Sequence, residues 1–481
     1  MRRTKIVATL GPASEAPEML GKLIAAGVDV VRLNFSHGSA DEHRQRAENV
    51  RQQAKAKGRE VGVLVDLQGP KIRTDRFAEG AVELQEGKTF ILDAACDPQA
   101  GNAERVGIAY KELVNDVSNG DLLLLDDGRI VLLVEKVSGS EIHCRVEVGG
   151  TLSNNKGINR QGGGLSAPAL TDKDREDIKT AADIAADYIA VSFPRNAEDI
   201  HEARRLLQEA GGHAAIVAKI ERVEALDAID EIIEATDVIM IARGDLGVEI
   251  GDAALPPVQK DLIRRARAAN RVVITATQMM ESMIENQIPT RAEVFDVANS
   301  VFDGTDAVML SGETAAGKYP DKVVEAMDRV CLGAEQQRVT LHSDHRINTR
   351  FEKIDEAIAL SAMYAGNHLG VKAIAAMTES GSTPLWMSRI SSGIPIFAMT
   401  GQEKTRRKVT LYRGVYPIPL DTRARDHATA NKRAIDELKR RKLVNDGDLV
   451  IITKGDLMGV LGGTNAMKIV RVGEEVNPDA E

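Results

Sequence analysis

Eight short runs of β-branched and apolar residues, separated by amphipathic helical patterns, constrain the fold of this 481-residue chain more than any other feature. The runs span residues 5–10, 28–33, 61–66, 188–193, 214–219, 237–242, 272–276 and 307–310. Between them, apolar residues recur at the helical period, for example over 196–210, 223–235 and 256–269. Eight alternating strands and helices predict a closed (β/α)8 TIM barrel, in which functional residues lie at the carboxyl ends of the strands.

The segment that follows the third run, residues 71–169, differs in character and predicts an inserted domain. Its apolar residues alternate with period two, and Asp127-Gly128 is a turn pair typical of a β-hairpin. We therefore expect a small β-barrel that covers the carboxyl ends of the strands as a lid. Residues 1–70 and 170–341 would then form the (β/α)8 barrel.

A polar stretch at 342–349 marks a second boundary. Beyond it, a shorter alternation of strands and helices has strand candidates at 372–377, 395–400, 415–420, 448–453 and 467–472. This pattern predicts an open, doubly wound α/β domain over 345–481. Three domains agree with the chain length, because a single hydrophobic core rarely extends beyond about 250–300 residues.

Composition argues against several classes of function. The chain carries 62 Lys and Arg against 72 Asp and Glu, a net charge of −10, so we expect no general attraction for nucleic acid or anionic membranes. The apolar run near the basic amino terminus extends only from residue 6 to residue 10, which fits neither a secretory signal nor a membrane span. Cys96, Cys144 and Cys331 lack metal-ligand spacing and indicate reduced thiols in a cytoplasmic protein.

Charged residues follow two neighbouring strand candidates. Lys219 and Glu221 end one run, and Arg243, Gly244 and Asp245 form a glycine turn after the next, with one amphipathic helix between them. In a parallel α/β unit both strand ends open on the same face, so Glu221 and Asp245 can bind one divalent ion beside the Lys219 ammonium. Such a site would stabilise an anionic reaction centre. Structural ion pairs of Lys219 with Glu221 and of Arg243 with Asp245 fit this spacing as well.

Seven motifs, in order along the whole chain, resemble those of the pyruvate kinase family. They are Thr9-Leu-Gly-Pro-Ala-Ser14, Arg32-Leu-Asn-Phe-Ser-His-Gly38, Asp66-Leu-Gln-Gly-Pro-Lys-Ile-Arg-Thr74, Ala218-Lys-Ile-Glu221, Ala242-Arg-Gly-Asp-Leu-Gly-Val-Glu249, Ala276-Thr-Gln-Met279 and Met309-Leu-Ser-Gly-Glu-Thr314. The resemblance implies the three-domain architecture, a homotetramer and the last step of glycolysis. In that step the phosphoryl group of phosphoenolpyruvate passes to ADP, giving pyruvate and ATP.

The same resemblance implies a substrate site. Loss of the phosphoryl group leaves an enolate, which Lys219 would stabilise together with Mg²⁺ or Mn²⁺ on Glu221 and Asp245. The substrate carboxylate would bind the backbone N–H groups of Gly244 and Asp245 and the hydroxyl of Thr277.

Further residues are implied for phosphoryl transfer, proton delivery and nucleotide binding. Arg32 and Arg73 would neutralise the phosphoryl oxygens during transfer. Ser311 and Glu313 would belong to the polar network that delivers a proton to the enolate. Closure of the inserted domain would exclude water. The nucleotide would contact Pro12, Asn34, Phe35, Ser36, His37, Arg73 and, from the inserted domain, Lys156.

The potassium site of the family would comprise Asn34, Ser36, Asp66 and the backbone carbonyl of Leu67. Potassium-dependent members carry glutamate in a Gly-Pro-Glu-Ile-Arg-Thr motif, whereas this chain has Lys71 at that position. An ammonium group is a compact point charge on a flexible stem, so Lys71 can supply the charge that potassium would otherwise provide. We therefore expect magnesium-dependent activity without potassium.

An effector site is predicted in the C-terminal domain, between the strand candidate at 372–377 and a helix beginning near Pro384. Backbone N–H groups and hydroxyls in such a loop converge on an anion. The resemblance implies that Ser382 stands where family members activated by a sugar bisphosphate can differ, and the stretch 455–465 is glycine-rich rather than basic. We therefore expect a sugar monophosphate or AMP as the activator. The effector residues would be Thr378, Ser380, Gly381, Ser382 and Thr383.

Two alternatives stay open. A Schiff-base aldolase would also place a lysine on a barrel strand, with Lys219 as a covalent nucleophile, although Glu221 and Asp245 beside it would keep the amine protonated. A non-enzymatic sensor of phosphosugars would use the C-terminal domain. Residues 312–318 nearly form a phosphate-binding P-loop, but Tyr319 replaces the required Ser or Thr, so we interpret them as a loop after the eighth strand.

Overall fold

Eight parallel strands close into a barrel, and each predicted run overlaps one of them. The computed structural model describes residues 1–341, 350–421, 427–456 and 462–474, so the predicted boundary at 342–349 lies outside the described residues. Lys5 pairs with Ala307, which closes the ring between the first and eighth strands. The strands are Lys5–Thr9, Val30–Asn34, Gly62–Asp66, Tyr188–Val191, Ala215–Ile220, Val238–Ala242, Val272–Ala276 and Ala307–Leu310.

Helices surround the barrel, and sequence-local signals begin several of them. Ser39, Thr171 and Thr290 each start a helix with a reciprocal capping box, which satisfies backbone N–H groups that the helix leaves unpaired. A 3-10 turn spans Glu281–Ile284. The α-helices are Pro17–Ala26, Ala40–Ala56, Asp172–Asp183, Ala197–Glu209, Val223–Asp227, Ile229–Ala235, Arg243–Ile250, Leu255–Ala268, Arg291–Asp303, Gly312–Ala315, Pro320–Ala334 and Arg338–Leu341.

Two local predictions were wrong. The helix expected over 223–235 is divided at Ala228, whose backbone leaves the helical region with φ −97° and ψ 17°. Neither proline nor glycine marks this break in the sequence.

The glycine turn expected at 243–247 is instead the first part of the helix Arg243–Ile250. The helix continues past Gly247 and ends at Gly251, which has a φ of 84°.

The C-terminal domain packs against the amino ends of the barrel strands. Tyr188, at the start of the fourth strand, donates its hydroxyl to the carbonyl of Lys408. Lys5, in the first strand, donates from Nζ to the carbonyl of Val415 at 2.6 Å. Inward-facing barrel residues and one face of the C-terminal sheet share a buried apolar cluster. Because this end of the barrel is covered, access to the barrel interior is left to the carboxyl ends of the strands.

The inserted domain forms two sheets around an apolar core, which confirms its predicted β character. The turn at Asp127-Gly128 joins Leu122–Leu125 to Ile130–Ser138 as an antiparallel hairpin. Throughout 71–169, all of which is described, the strands form two sheets rather than one closed ring. One short helix spans Leu113–Asp116. In spatial order, one sheet contains Ile158–Arg160, Leu122–Leu125, Ile130–Ser138, Glu141–Val148, Thr89–Asp93 and Arg105–Gly107, and the other Gly150–Ser153 and Ala81–Leu84.

The C-terminal domain is the predicted open α/β sheet. Its order is Val415–Pro419, Ile396–Thr400, Ala373–Met377, Leu449–Gly455 and Thr464–Arg471. The first four strands are parallel and the last is antiparallel. In the described part of the chain, no helix combines the length and apolarity that a membrane crossing requires. The helices of this domain are Ile354–Leu369, Ser382–Ser388, Glu403–Lys408 and His427–Arg440, with a 3-10 turn at Val409–Leu411.

Candidate active site

Lys219 lies at the carboxyl end of the fifth barrel strand and contacts two carboxylates. Its Nζ is 2.9 Å from Glu221 Oε1 and 3.3 Å from Asp66 Oδ1. It also donates a hydrogen bond to Ser192 Oγ at 2.7 Å. Burial alone would lower the pKa of Lys219, but Asp66 and Glu221 outweigh burial and raise the pKa above its ordinary value. The amine is therefore held as an ammonium ion.

Asp66, at the end of the third strand, joins Lys219 to Arg32. Arg32 donates from Nε to Asp66 Oδ2 at 2.6 Å and from Nη1 to Thr9 Oγ1 at 3.0 Å. Burial would raise the pKa of Asp66, but Lys219 and Arg32 lower it below its ordinary range. The spacing of the motifs predicted Asp245 as the second carboxylate beside Lys219. Asp66 contacts the ammonium instead, because it ends a strand while Asp245 lies beyond its strand, in the following helix.

Glu221 and Asp245 are the carboxylates predicted to bind a metal. Glu221 is 1% exposed, and its Oε2 accepts a hydrogen bond from the backbone N–H of Phe193 at 2.7 Å. Burial raises the pKa of Glu221, and repulsion from Asp245 adds to the rise despite the attraction of Lys219. A divalent cation would relieve this repulsion, so the pair fits Mg²⁺, which fills its other positions with substrate oxygens and water. Among the described residues, no group of three or more His, Cys, Asp or Glu could hold a metal ion.

The first turn of the helix Arg243–Ile250 faces Thr277. The backbone N–H of Gly244 donates to Thr277 Oγ1 at 2.9 Å, and that hydroxyl donates to the carbonyl of Ala276 at 2.6 Å. Thr277 has a φ of 66°, which a β-branched residue adopts only under strain. Such strained positions cluster at functional sites. Both donors are used within the protein here, so an anion bound by this turn and by Thr277 would have to replace these two contacts.

Arg243 anchors this helix and does not pair with Asp245. Its guanidinium donates from Nη1 and Nη2 to the two carboxylate oxygens of Asp296, at 2.7 and 2.8 Å, and from Nη2 to the carbonyl of Thr277 at 2.7 Å. The interpretation of Arg243 and Asp245 as a structural ion pair is therefore wrong. Arg243 fixes the start of the helix against the cradle.

Ser192 is a further residue of the site, and the sequence motifs did not predict it. Its hydroxyl accepts from Lys219, donates to the carbonyl of Leu67 at 2.8 Å and lies 3.4 Å from Asp66 Oδ1. A signal was available, because Ser192 directly follows the strand Tyr188–Val191, where barrel enzymes carry functional residues. Asp66 and the Leu67 carbonyl, both predicted as potassium ligands, thus share a serine partner.

Lys71 lies at the start of the inserted domain, against Asp245. Its Nζ is 3.5 Å from Asp245 Oδ1, and its side chain is 31% exposed. The ammonium therefore reaches a predicted magnesium carboxylate. Asn34 and Ser36, the other predicted potassium ligands, contact each other, because Asn34 Oδ1 accepts from the backbone N–H of Ser36 at 3.1 Å.

Arg73 and Lys156, two of the residues predicted to bind the nucleotide, contact other residues of the inserted domain. Arg73 Nη1 donates to the carbonyl of Asn155 at 2.9 Å, and Lys156 Nζ lies 2.7 Å from Asp126 Oδ1. Both cations would exchange these partners for phosphate oxygens when a nucleotide binds.

Phe35, which was also predicted to contact the nucleotide, has a buried side chain. Its ring is 1% exposed and stacks on His43, with the ring centroids 3.9 Å apart. Its backbone N–H donates to the carbonyl of Asp66, and its carbonyl accepts from Lys173 Nζ at 2.7 Å. The ring of Phe35 therefore packs in the core, and a contact with the nucleotide at this residue would have to be made by its backbone. Pro12 is exposed, in agreement with a ligand contact.

Glu313, predicted to take part in proton delivery, is occupied as a hydrogen-bond acceptor. Its carboxylate accepts from the backbone N–H of Ser311 at 2.6 Å and from that of Met280 at 3.3 Å, and the residue is 3% exposed. This pattern indicates that Glu313 shapes the loop after the eighth strand. The near match to a P-loop is a single helical turn at Gly312–Ala315, as the sequence interpretation expected of a strand-end loop.

The predicted effector loop, residues 378–383, is closed by its own hydroxyls. The helix that follows begins at Ser382 rather than near Pro384, because Gly381 adopts a left-handed φ of 84° and turns the chain earlier. The hydroxyl contacts are Thr378 Oγ1 with Gly381 N–H at 2.9 Å, Ser380 Oγ with Ser382 Oγ at 2.9 Å, and Thr383 Oγ1 with Thr464 Oγ1 at 2.8 Å.

The fold and the site define a (β/α)8-barrel enzyme with charged residues at the carboxyl ends of its strands. The family model for "Pyruvate kinase, barrel domain" matches residues 1–324, and that for "Pyruvate kinase, alpha/beta domain" matches residues 356–470. The chain therefore belongs to the pyruvate kinase family, and it is a phosphotransferase.

Individual relatives agree with this assignment. Pyruvate kinase II of Salmonella typhimurium is 58% identical over 476 residues, which cover 98% of this chain and 99% of the relative. A pyruvate kinase of Haemophilus influenzae is 56% identical over 459 residues, which cover 95% and 96%. The crystal structure of a pyruvate kinase from Cryptosporidium parvum aligns with a TM-score of 0.91 at 36% identity, covering 98% of this chain and 96% of that one.

Proposed function

We propose that this protein transfers the phosphoryl group of phosphoenolpyruvate to ADP, giving pyruvate and ATP in the last step of glycolysis. The observation that carries the proposal is the Lys219 ammonium, held charged by Asp66 and Glu221 at the carboxyl end of the barrel. Membership of the pyruvate kinase family supports this reaction.

Lys219 would act where negative charge develops. The bond between phosphorus and the enol oxygen breaks, phosphorus bonds to a terminal oxygen of ADP, and the electron pair of the broken bond stays on the enol oxygen. The enolate then takes a proton at its methylene carbon and becomes pyruvate. A buried, preoriented ammonium stabilises such an oxyanion without reorganisation. Mg²⁺ or Mn²⁺ held by Glu221 and Asp245 would supply Lewis-acid stabilisation of the same charge.

Other residues would orient the two reactants. The backbone N–H groups of Gly244 and Asp245, at a helix amino terminus, would bind the substrate carboxylate together with the Thr277 hydroxyl. Arg32 and Arg73 would bind the phosphoryl oxygens, and the contact of Arg32 with Asp66 would fix its guanidinium. The nucleotide would contact Pro12, Asn34, Phe35, Ser36, His37, Arg73 and Lys156.

Ser311 would serve proton delivery, and Glu313 would have a structural role in the same loop. Both oxygens of Glu313 accept backbone N–H groups, so this carboxylate would hold the loop while the Ser311 hydroxyl and water carry the proton.

The Schiff-base alternative is disfavoured by the charge state of Lys219. A covalent nucleophile needs a neutral amine, whereas Asp66 and Glu221 raise the pKa of this lysine despite its burial. Borohydride reduction in the presence of pyruvate would trap an adduct on Lys219 if the aldolase chemistry operated, and we expect none.

A coupled assay of pyruvate formation tests the proposed reaction. The purified protein is incubated with phosphoenolpyruvate, ADP and Mg²⁺, and pyruvate is followed through its reduction by lactate dehydrogenase. We expect turnover that requires all three components. The absence of pyruvate with correctly folded protein would overturn the proposal and would favour the phosphosugar sensor.

Lys71 would make potassium dispensable. Its contact with Asp245 leads us to expect that its ammonium supplies positive charge beside the magnesium carboxylates. The set Asn34, Ser36, Asp66 and Leu67 could then be a vestige of the potassium site of the family.

Activation by a sugar monophosphate or AMP would complete the function. We expect the phosphate to bind residues 378–383 by replacing the hydroxyl contacts within the loop. A second location is favoured by a cavity of about 1010 Å³ between the amino end of the barrel and the C-terminal domain. Eight Lys and Arg line it against four Asp and Glu, including Arg59 and Arg406. If Ser380→Asp abolishes activation the loop is the site, whereas loss of activation only in Arg59→Ala would assign the cavity.

A cytoplasmic homotetramer is the form in which we expect the enzyme to act. Large apolar side chains on the barrel and on the helix Ile354–Leu369 are exposed in the single chain, as an assembly interface would require. They include Ile288, Phe295, Ile354 and Tyr364, which are 75%, 69%, 70% and 61% exposed. Sedimentation equilibrium would distinguish a tetramer from a monomer.

A further inference from the structure

The helix Arg243–Ile250 carries Asp245 near its start and Glu249 near its end, and residues four apart lie on the same helical face. Asp245 belongs to the proposed metal site. Glu249 is 4% exposed and has no part in the reaction described above. Both residues line a narrow cleft of about 20 Å³ where the inserted domain joins the barrel.

Glu249 contacts two other segments of the chain. Its Oε2 accepts from the backbone N–H of Val223 at 3.0 Å, and its backbone carbonyl accepts from the N–H of Gly162 at 3.3 Å. The Asn159 amide, on the last strand of the inserted domain, faces the same carboxylate. Val223 follows Glu221, the other proposed metal carboxylate, by two residues. Glu249 thus connects three parts of the chain: the helix that carries Asp245, the segment that follows Glu221, and the inserted domain.

The inserted domain leaves this junction through a segment suited to bending. Three consecutive glycines at 162–164 have φ values of 80°, 77° and 92°, which L side chains rarely adopt. The third of these glycines donates its N–H to Glu224 Oε1. Arg222 Nη1 donates to the carbonyl of Leu165 at 3.3 Å. The hinge is therefore held by residues 222–224, which directly follow Glu221 in the chain.

We propose that Glu249 is a positioning residue that couples the orientation of the inserted domain to the separation of Glu221 and Asp245. It does not touch the substrate. Movement of the inserted domain about 162–164 reaches the end of the helix Arg243–Ile250 through the contact of Gly162 with the Glu249 carbonyl. The Glu249 carboxylate then passes the movement to Val223. Closure would thereby set the separation of Glu221 and Asp245 that binding of one metal ion requires. The inference rests on the proposed function for the identity of the site, whereas the coupling itself is measurable without substrate.

Hydrogen–deuterium exchange of the metal-free, substrate-free protein tests the coupling. In Glu249→Ala, we expect the peptides covering 158–166 and 222–227 to exchange about tenfold faster. The Val223 amide loses its acceptor, and the contact of the Gly162 amide with the backbone carbonyl of residue 249 loses the support of the side chain. Glu249→Gln keeps an acceptor for Val223 and should restore the protection. If the alanine variant does not fold, Glu249→Asp, which keeps the charge but is one methylene shorter, should show the same acceleration.

Glu335→Ala is the matched control. Glu335 is also buried and accepts two backbone N–H groups, from Arg3 at 2.8 Å and from Thr4 at 2.6 Å, but it lies at the opposite end of the barrel. Its loss should reduce the melting temperature without changing exchange at 158–166. Parent-like exchange there in both Glu249→Ala and Glu249→Asp, or equal acceleration in Glu335→Ala, would overturn the proposal.

Steady-state kinetics provide the second readout. We expect Glu249→Ala to raise KM for ADP in the presence of Mg²⁺ about tenfold and to lower kcat less than about threefold, because lid closure is weakened while Lys219 is unchanged. Glu249→Gln should return KM toward the parent value, and Glu335→Ala should leave it unchanged. A KM unchanged in Glu249→Ala would contradict the coupling. If the parent itself forms no pyruvate, the proposed function fails, and the exchange result alone decides the coupling.

Discussion

The Nζ of Lys71 lies 3.5 Å from Oδ1 of Asp245, so a cation of the protein reaches a carboxylate that we assign to magnesium. The family resemblance implies that Lys71 stands where potassium-dependent members carry glutamate, and Lys71 begins the inserted domain. The location of this ammonium group would therefore depend on the position of the inserted domain. Closure of that domain would place it beside the reacting phosphoryl group.

Lys71→Glu should make the enzyme depend on potassium. The substitution places a carboxylate beside Asp245, which repels it until a monovalent cation binds nearby. We expect the activity of the variant in tetramethylammonium buffer to fall at least about tenfold and to recover when potassium is added. Lys71→Met, which has neither charge, should lose activity without recovery. Strong activation of the parent enzyme by potassium would contradict the role given to Lys71.

Asp66→Asn should move the alkaline limb of the pH–rate profile to lower pH. Burial lowers the pKa of Lys219, and Asp66 with Glu221 raises it, so removing one carboxylate shifts the balance toward the neutral amine. The variant should therefore lose kcat as pH rises through a range in which the parent keeps it. The profile of kcat from about pH 6 to about pH 10 measures the shift. An alkaline limb at the same pH in both enzymes would show that Lys219 does not need Asp66 to stay charged.

Ser192→Ala should slow turnover by about tenfold with little change in KM for phosphoenolpyruvate. The substitution removes the hydroxyl that accepts from Lys219 and donates to the carbonyl of Leu67, and one such hydrogen bond contributes about 0.5–1.5 kcal/mol. Ser166→Ala, which removes a hydroxyl contact to Tyr110 in the inserted domain, is the control and should retain parent kcat. A parent-like rate in Ser192→Ala would remove this serine from the site.

The barrel and the strand-end residues were predictable because a parallel barrel fixes geometry from sequence alone. Each β-branched run became a strand, and residues placed at strand ends, such as Lys219 and Glu221, lie on one face by construction. Ser192 also follows a strand, but a single serine carries no motif, so its position did not distinguish it.

Contacts between distant segments account for what the sequence did not reveal. The pairing of Lys219 with Asp66 depends on how far each side chain reaches across the barrel mouth, and periodicity does not encode this reach. The role of Glu313 depends on the backbone N–H groups of Ser311 and Met280, which every residue type carries. The motif at Glu313 was therefore visible, whereas its hydrogen bonds were not.

Glu249→Gln should stabilise the protein at alkaline pH and have little effect at acid pH. Burial raises the pKa of Glu249 from 4.5 to about 7, and repulsion from Glu224 adds to the rise. The hydrogen bond from Val223 and the charge of Arg222 act in the opposite direction but are outweighed. The folded state therefore holds this proton more tightly than the unfolded chain, and ionised Glu249 reduces stability increasingly as pH rises from about 4.5 through about 7. The Tm of Glu249→Gln should exceed that of the parent at about pH 8, and the difference should shrink toward about pH 5. A Tm difference that is constant, or that grows as pH falls, would contradict this assignment.

Steady-state pyruvate formation by Lys219→Met, with phosphoenolpyruvate and Mn²⁺ binding measured on the same variant, is the most direct test of the central claim that the Lys219 ammonium stabilises the enolate. We expect kcat to fall by at least about 10²–10³-fold, because loss of one preoriented stabiliser of a developing oxyanion has an effect of this size. Binding of phosphoenolpyruvate and of Mn²⁺ should change less than about threefold, since Gly244, Asp245 and Thr277 are untouched. Near-normal turnover by Lys219→Met would contradict the claim.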